Sequence, residues 1–331
     1  ECKIKIDDSY ALEGIATVGA VTRHLSWSKY NSILWTHLTQ FERHPDQERY
    51  LVSLICSIID GFHFDVSAAP PENSANGDSS RNNAVCRALE KRFIPKIEGL
   101  LTKEKSGRGG KILRPSVALA LLKLFQKLPI DVFEAKLHRL LTVICDALGS
   151  RDSTSRELAR STLAKMVMSM NLEYLADVVR ELATSLTEGY KLHVRTATLH
   201  AILLELSASY KPPKYSDHLR SPFDKTVPGI VDLIQQDLFG TAQERRDAEN
   251  SQVRFVKEAG GSKGAHSLEL VARMICFSSA TEETSRETPS SAHILVAPLL
   301  ERLRSSETQS KAVKRTKECL SRVVAGLLKN P

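Results

Sequence analysis

The sequence predicts an all-α protein built from repeated pairs of helices. Helical periodicity runs through nearly the whole chain, and the alternation typical of strands is nearly absent. An Arg stands before the apolar stripe of three successive units, at Arg114, Arg156 and Arg195, so the unit returns after 42 and then 39 residues. This period is typical of HEAT and armadillo repeats, and we expect a helical-repeat solenoid, an α-α superhelix. Solenoids present extended surfaces rather than pockets, which favours a scaffold over an enzyme.

Apolar residues at steps of three and four indicate a succession of helices. Short joints separate them: Asp131 and Asp152 stand where a helix needs an N-cap, and Gly149 and Gly189 stand where one ends. Such joints are typical of the antiparallel neighbours that a two-helix repeat requires. The expected helices are residues 9–23, 27–42, 46–61, 84–103, 113–128, 131–148, 153–169, 171–187, 190–209, 223–238, 266–278, 291–304 and 308–329.

Polar segments divide the helical sequence into regions. A flexible basic turn is expected at 103–111, within the longest helical region. The expected regions are helical repeats at 1–64, a disordered or flexible loop at 65–83, HEAT-like repeats at 84–240, a polar insertion at 241–265, and C-terminal helical repeats of the same solenoid at 266–331.

The composition is that of a folded protein with a basic charge balance. Of its 331 residues, 42% are hydrophobic and 26% are charged, and the formal net charge is +7 with a pI near 9.0. No stretch reaches the roughly 18 apolar residues of a membrane span, and the missing initial Met suggests an internal piece of a longer protein. The six cysteines stand singly, without a CxxC pair, as expected of reduced core residues in a cytosolic or nuclear protein.

Basic residues concentrate in two segments. Residues 81–127 carry twelve Lys or Arg against three Glu, and residues 290–331 carry eight against three. Isolated basic segments on an otherwise acidic chain suit local contact with nucleic-acid phosphates or an acidic partner, and the alternative is a solvated helix face. The candidate contacts are Arg87, Lys91, Arg92, Lys96, Lys103, Lys105, Arg108, Lys111, Arg114, Lys311, Lys314, Arg315, Lys317 and Arg322.

Arg156 and Arg195 are expected to have a structural role instead. In a HEAT-like stack, an Arg before the apolar stripe can reach a carboxylate or a helix end in the neighbouring repeat. These two residues would then order the stack rather than bind a ligand.

Several stretches share the pattern of one protein family. They are TRHLSWSKYNSIL at 22–34, IIDGFHFD at 58–65, the run over 156–206, and VDLIQQDLFG at 231–240. They resemble the family of U3 small nucleolar RNA-associated protein 20, also called down-regulated in metastasis. The resemblance is strongest over residues 111–240, and none is assigned beyond about residue 280.

The resemblance implies a role that the residues alone do not show. Family members are far longer HEAT-repeat proteins, so the chain would be an internal or C-terminal fragment of one. The implied setting is the nucleolus, in the nucleus, within the small-subunit processome or 90S pre-ribosome, where pre-ribosomal RNA is processed to 18S ribosomal RNA. The implied partners are other processome proteins, with pre-ribosomal RNA or U3 small nucleolar RNA as further partners.

The sequence carries no recognisable catalytic motif. GRGGKI at 107–112 lacks the first Gly and the final Ser or Thr of a phosphate-binding loop. His193 and His200 lie about two helical turns apart, but no Cys or carboxylate joins them at metal-site spacing. Trp27 and Trp35 have a helical spacing that favours core packing over a base-stacking platform. We predict no catalytic, cofactor-binding or metal-binding residue, no cofactor, no small-molecule substrate and no membrane contact.

Two functions fit this reading. The first is a ribosome-assembly scaffold that holds proteins and RNA phosphates without catalysis. The second is a HEAT-repeat nuclear transport receptor or phosphatase-type adaptor, which would use the same architecture to bind one cargo or enzyme. Transport receptors tend to be strongly acidic, whereas this chain has a pI near 9.0, and that favours the scaffold.

Overall fold

The computed structural model describes residues 8–66, 84–104, 111–212, 221–240, 258, 263–276, 289–305 and 310–331. Their architecture is all-α, with a single pair of short strands among these described residues. The chain divides into two compact units, and the boundary falls after Ile144. None of the described helices is both long enough and apolar enough to cross a membrane.

The first unit contains α1 to α5 and most of α6. One row of helices consists of α1, α3 and α5, each packed on the next, while α2 and α4 contact each other in a second row. Helix α2 also packs on α3, and α4 packs on α5. The bounds are α1 Asp8–Thr22, α2 Trp27–Arg43, α3 Glu48–Asp60, α4 Ile94–Leu101, α5 Pro115–Phe125 and α6 Ile130–Leu148.

The second unit repeats this alternation over more helices. Its first row consists of α7, α9, α11 and α13, and its second row of α8, α10 and α12. Within this unit each helix therefore packs on the helix two places along the chain, which is the contact pattern of a two-helix repeat. The bounds are α7 Ser153–Ser169, α8 Leu175–Ser185, α9 Lys191–Ser209, α10 Pro222–Phe239, α11 Lys263–Met274, α12 Ser291–Arg304 and α13 Ser310–Leu328.

Burial follows the apolar patterns of the sequence. In α8 the apolar residues that recur at steps of three and four are buried, from Leu175 through Leu182 to Leu186 just after the helix. Helix α5 is buried almost all round, because it lies against both α3 and α4. In the first unit, Trp27 packs its ring against Tyr30 and three Phe rings, which confirms the core role expected of that residue.

Several predicted helix ends are confirmed. The Asp152 side chain accepts a hydrogen bond from the Ser155 amide at 2.7 Å and so caps α7. Gly189 has a positive φ of 58°, which an L side chain adopts only with strain. The expectation that Asp131 is an N-cap is wrong, because α6 already begins at Ile130. Asp131 lies in the first turn of α6, where its negative charge interacts favourably with the helix dipole.

The region at 103–111 differs from the expected flexible turn. Strand β1 (Thr102–Glu104) pairs antiparallel with β2 (Lys111–Leu113), with Thr102 opposite Leu113. Strands of three residues are too short for an alternating pattern to show in the sequence. Residues 105–110 lie outside the described part of the chain.

The described cysteines have the reduced state expected of them. Cys145 and Cys319 are buried and Cys86 and Cys276 are half-buried, all four as free thiols, and Cys56 is buried as well. Burial is the main reason that the pKa of Cys145 and that of Cys319 rise to about 12. These thiols stay protonated, and therefore poorly nucleophilic, at neutral pH.

Candidate nucleic-acid interface

The segment before α4 carries two exposed cations. Helical residues 84–88 lead into a π-helical turn, Leu89–Phe93, and apolar side chains of the segment face the core. Arg87 and Lys91 are exposed, and neither makes a hydrogen bond or ion pair with another residue in the described ranges. Their charges are therefore open to an external partner.

The next two predicted contacts are held by other side chains of the first unit. Arg92 lies with its Cζ 4.1 Å from the centroid of the Trp35 ring, and its Nη1 donates to Asn31 Oδ1 at 3.2 Å. Lys96 pairs with Glu42 at 2.7 Å. Arg92 remains exposed, whereas the charge of Lys96 is compensated within the protein.

Four of the predicted contacts lie on the strand pair or between its strands. Lys103 and Lys111 lie on β1 and β2, where the structure describes their backbone. Lys105 and Arg108 lie outside the described residues. These four candidates stay predictions.

Arg114 combines an ion pair with an aromatic contact inside the first unit. Its Nε lies 3.4 Å from Glu48 Oε2, its side chain is 12% exposed, and its guanidinium lies 5.2 Å from the centroid of the Phe41 ring. The geometry ties β2 and the start of α5 to α2 and α3. Arg114 is thus positioned for packing more than for contact with a phosphate.

Helix α13 presents a second group of exposed cations. Lys311, Lys314 and Lys317 are exposed and form no hydrogen bond or ion pair with any residue that the structure describes. The opposite side of the helix packs closely on α11, where a Cβ added to Gly326 would lie 2.3 Å from the Glu269 carbonyl oxygen. This close packing orients the three lysines outward.

The two arginines of α13 have partners in the second unit. Arg315 Nη1 donates to the Leu238 carbonyl at 3.0 Å, and Arg322 Nη1 donates to Glu269 Oε2 at 2.9 Å. Lys329 also pairs with Glu269, at 2.6 Å. The hydrogen bonds from Lys329 and Arg322 lower the pKa of the Glu269 carboxyl. These contacts hold α13 in place and leave the lysines as its available charges.

Arg156 makes the most buried ion pair among the described residues. Its Nε and Nη2 donate to the two carboxylate oxygens of Glu258 at 2.8 and 2.9 Å, and Arg160 Nη2 adds a bond of 3.0 Å. The remaining nitrogen, Nη1, donates to the carbonyls of Ser150 and Arg151 just after α6. The expected partner was a carboxylate or a helix end in the neighbouring repeat; the observed partners are the Glu258 carboxylate, 102 positions away, and two carbonyls just before α7.

Glu258 is a residue that no sequence pattern singles out. It lies in the predicted polar insertion, 102 positions from Arg156. Burial raises the pKa of its carboxyl, but the hydrogen bonds from Arg156 and Arg160 outweigh burial and lower the pKa to about 2. In the sequence Glu258 is one charged residue among many polar residues of the insertion, and nothing distinguishes it from the others.

Arg195 has a structural partner of a different kind. It is buried, and its Nη2 donates to Gln236 Oε1 on α10 at 3.0 Å. The partner is therefore an amide of the neighbouring helix rather than the expected carboxylate. Burial lowers the pKa of this guanidinium.

The two histidines of α9 do not share a site. His193 Nδ1 lies 3.8 Å from Asp237 Oδ1, whereas His200 Nδ1 lies 3.1 Å from Ser267 Oγ and stacks near the ring of His266. Burial, followed by the charge of His266, lowers the pKa of His200 to about 4. No cluster of three or more His, Cys, Asp or Glu side chains suited to a metal ion occurs in the described residues.

Comparison with known proteins identifies the family. The model of the U3 small nucleolar RNA-associated protein 20 domain matches residues 104–331, which is more than half of the chain. The chain belongs to the U3 small nucleolar RNA-associated protein 20 family. The match reaches past residue 280, where sequence reasoning had assigned no resemblance, and residues 22–65 lie before its start.

Two curated relatives carry the family's name. The protein from Saccharomyces cerevisiae is 26% identical over 263 residues, which cover 78% of this chain and 10% of the relative. The protein from Schizosaccharomyces pombe is 25% identical over 281 residues, which cover 81% of this chain and 11% of the relative. The chain thus spans about a tenth of the length of these members of the U3 small nucleolar RNA-associated protein 20 family.

Proposed function

We propose that this chain is a non-catalytic scaffold in the assembly of the small ribosomal subunit. It acts in the nucleolus, within the small-subunit processome or 90S pre-ribosome, and supports maturation of 18S ribosomal RNA. The observation that carries the proposal is the family match over residues 104–331. The named relatives are associated with U3 small nucleolar RNA, and this chain belongs to their family.

The charge distribution supports contact with RNA phosphates. The exposed cations without a partner in the described residues include two groups inside the basic segments, one before α4 and one on α13. A cation that has no partner inside the protein can replace a counterion of a phosphate, which gives an affinity that falls with salt. The other helix surfaces are available for processome proteins. The paired helices position both groups.

The α13 lysines offer a direct test of phosphate contact. We expect the triple variant Lys311→Gln, Lys314→Gln and Lys317→Gln to bind a pre-ribosomal RNA fragment more weakly. The slope of log affinity against log salt should fall by about 2, since each lost phosphate contact removes about 0.7 in single-stranded RNA. Affinity is measured by fluorescence anisotropy from low to physiological salt.

Two exposed lysines elsewhere in the second unit provide the matched control. Lys165 on α7 and Lys225 on α10 are exposed and lie outside both basic segments. Changing both to Gln should leave the salt slope within error of the unmodified chain. An equal loss per removed charge in the two-lysine control and the three-lysine α13 variant would show that only net charge matters. RNA binding that does not weaken with salt would contradict phosphate contact.

Recovery of the processome tests the assembly role separately. Affinity purification of the tagged full-length protein that contains this chain should recover precursors of the small ribosomal subunit. Recovery of a transport receptor's cargo or of a phosphatase, without ribosomal precursors, would instead support the adaptor function. The family match favours the ribosomal assignment over that alternative.

A further inference from the structure

Arg92 and Trp35 form a preassembled stack in the first unit. The guanidinium carbon lies 4.1 Å from the centroid of the indole ring, close to van der Waals contact with its face. Arg92 Nη1 is fixed by a hydrogen bond to Asn31 Oδ1, and Trp35 itself lies against the ring of Phe93 at 6.3 Å between centroids. The arginine is therefore held over the indole ring by contacts with α2 and with Phe93 of its own π-helical turn.

The stack presents a planar group to solvent at little further entropic cost. Arg92 is exposed while Trp35 is half-buried beneath it, so the arginine forms the outer layer. A free arginine side chain loses rotamer entropy when a ligand immobilises it, and here the protein has already imposed that order. The guanidinium plane is thus ready to accept a second flat group.

The surrounding charges suit a polyanion. Arg87 and Lys91 are exposed on the same segment, and neither has a partner among the described residues. Glu90 is the exposed acidic residue on that turn, so the local balance remains positive. Lys96 adds little, because its ammonium is paired with Glu42.

We propose that this surface, made by Arg92, Trp35, Arg87 and Lys91, binds single-stranded RNA, with a base stacked on Arg92 and adjacent phosphates at Arg87 and Lys91. The proposal rests on the proposed function and deepens it by naming the form of RNA that this surface binds. A carboxylate of an acidic peptide needs the donor edge of a guanidinium, and Asn31 already takes part of that edge. A nucleobase uses the open face.

The test separates stacking from charge. The 331-residue chain is titrated into a labelled single-stranded uridine oligonucleotide, as the unmodified chain, as Arg92→Lys and as Lys91→Gln. Arg92→Lys keeps the charge but loses the plane, so affinity should fall about tenfold at an unchanged salt slope. Lys91→Gln should lower the slope by about 0.7. An oligonucleotide of abasic residues should bind the chain and Arg92→Lys equally.

Each outcome decides the proposal. The proposal is supported if Arg92→Lys loses affinity for the uridine oligonucleotide but not for the abasic one, with unchanged thermal unfolding. If Arg92→Lys binds as tightly as the unmodified chain while Lys91→Gln alters the salt slope, the stacking site is wrong and phosphate contact stands. If the unmodified chain binds no oligonucleotide, or Arg92→Lys loses only a processome protein, the surface does not bind RNA and the proposal is overturned.

Discussion

Arg156 connects a repeat helix with a residue far away in the sequence. Its guanidinium holds both oxygens of Glu258 and two carbonyls after α6, so all of its nitrogens donate within the protein. Taking both charges from water carries a large desolvation cost, which the pairing offsets. The pair becomes a liability when either partner is removed, because the other remains buried and charged.

Removal of Arg156 should therefore destabilise the second unit strongly. We expect Arg156→Ala to lower the free energy of unfolding by about 3 kcal/mol, since Glu258 then loses its bidentate partner. Urea unfolding followed by circular dichroism measures the change. The control is Arg180→Ala, which removes an exposed pair with Asp177 and should cost below about 1 kcal/mol. Similar losses in both variants would contradict a buried role for Arg156.

The Glu258 carboxyl predicts a pH dependence of stability. The pKa of the carboxyl is about 2 in the folded chain and about 4.3 in the unfolded chain. Ionisation of Glu258 therefore stabilises the folded state, fully so at pH values above the unfolded pKa. That contribution is present at neutral pH and declines as pH falls from about 4.5 towards 2. The stability difference between the unmodified chain and Glu258→Gln should narrow over the same range. A difference that stays constant from pH 7 to pH 3 would rule out this linkage.

The arginines of these contacts could be predicted from the sequence, but their partners were not predicted. Sequence reasoning assigned Arg156 and Arg195 to ordering the stack, because the Arg recurs at a fixed place in the repeat. It did not find Glu258, which lies 102 positions from Arg156 and so between two and three repeat periods away. Gln236 lies 41 positions from Arg195, close to one repeat period, and that spacing is a signal that could have pointed to it. The Arg92 and Trp35 stack was missed for a related reason: it depends on how α2 meets the segment before α4, and spacing along one helix does not contain that information.

At the scale of elements, the helices were predictable to within a few residues at most ends. A stripe such as that of α8 repeats at the helical period and is buried as a unit, so periodicity reports both helix and facing side. The π-helical turn Leu89–Phe93 and the β1 and β2 pair were not predicted. Both elements are shorter than the stretch of sequence over which a periodic pattern can be recognised. Both are defined by hydrogen bonds between backbone groups rather than by a pattern of side chains.

Glycines test the packing between elements. Gly326 lies in α13 where a Cβ would approach the Glu269 carbonyl oxygen to 2.3 Å, whereas a Cβ at Gly99 of α4 would meet nothing within 4 Å. We expect Gly326→Ala to destabilise the second unit by about 1 to 3 kcal/mol through overpacking. Gly99→Ala should instead stabilise its helix by about 0.5 to 1 kcal/mol. Thermal unfolding of both variants measures this, and a stabilised Gly326→Ala would show that α13 does not pack closely on α11.

For the whole molecule, position matters more than net charge. The formal net charge of the chain is +7. Three of its cations, Arg114, Arg315 and Arg322, nevertheless form ion pairs or hydrogen bonds within the protein. Inside the two basic segments that the sequence indicated, the exposed charges without a partner in the described residues include those before α4 and those on α13. Which cation in a segment is available depends on the helix that it faces, and composition does not record that.

Crosslinking of the intact particle tests the central claim most directly. Ultraviolet crosslinking in cells, with crosslinked peptides mapped by mass spectrometry, reports which residues of the full-length protein touch RNA. The scaffold account predicts RNA crosslinks in the peptides around Lys91 and around Lys314, and none around the buried Arg156. A protein that is present in small-subunit precursors but crosslinks to RNA at neither basic group would contradict it.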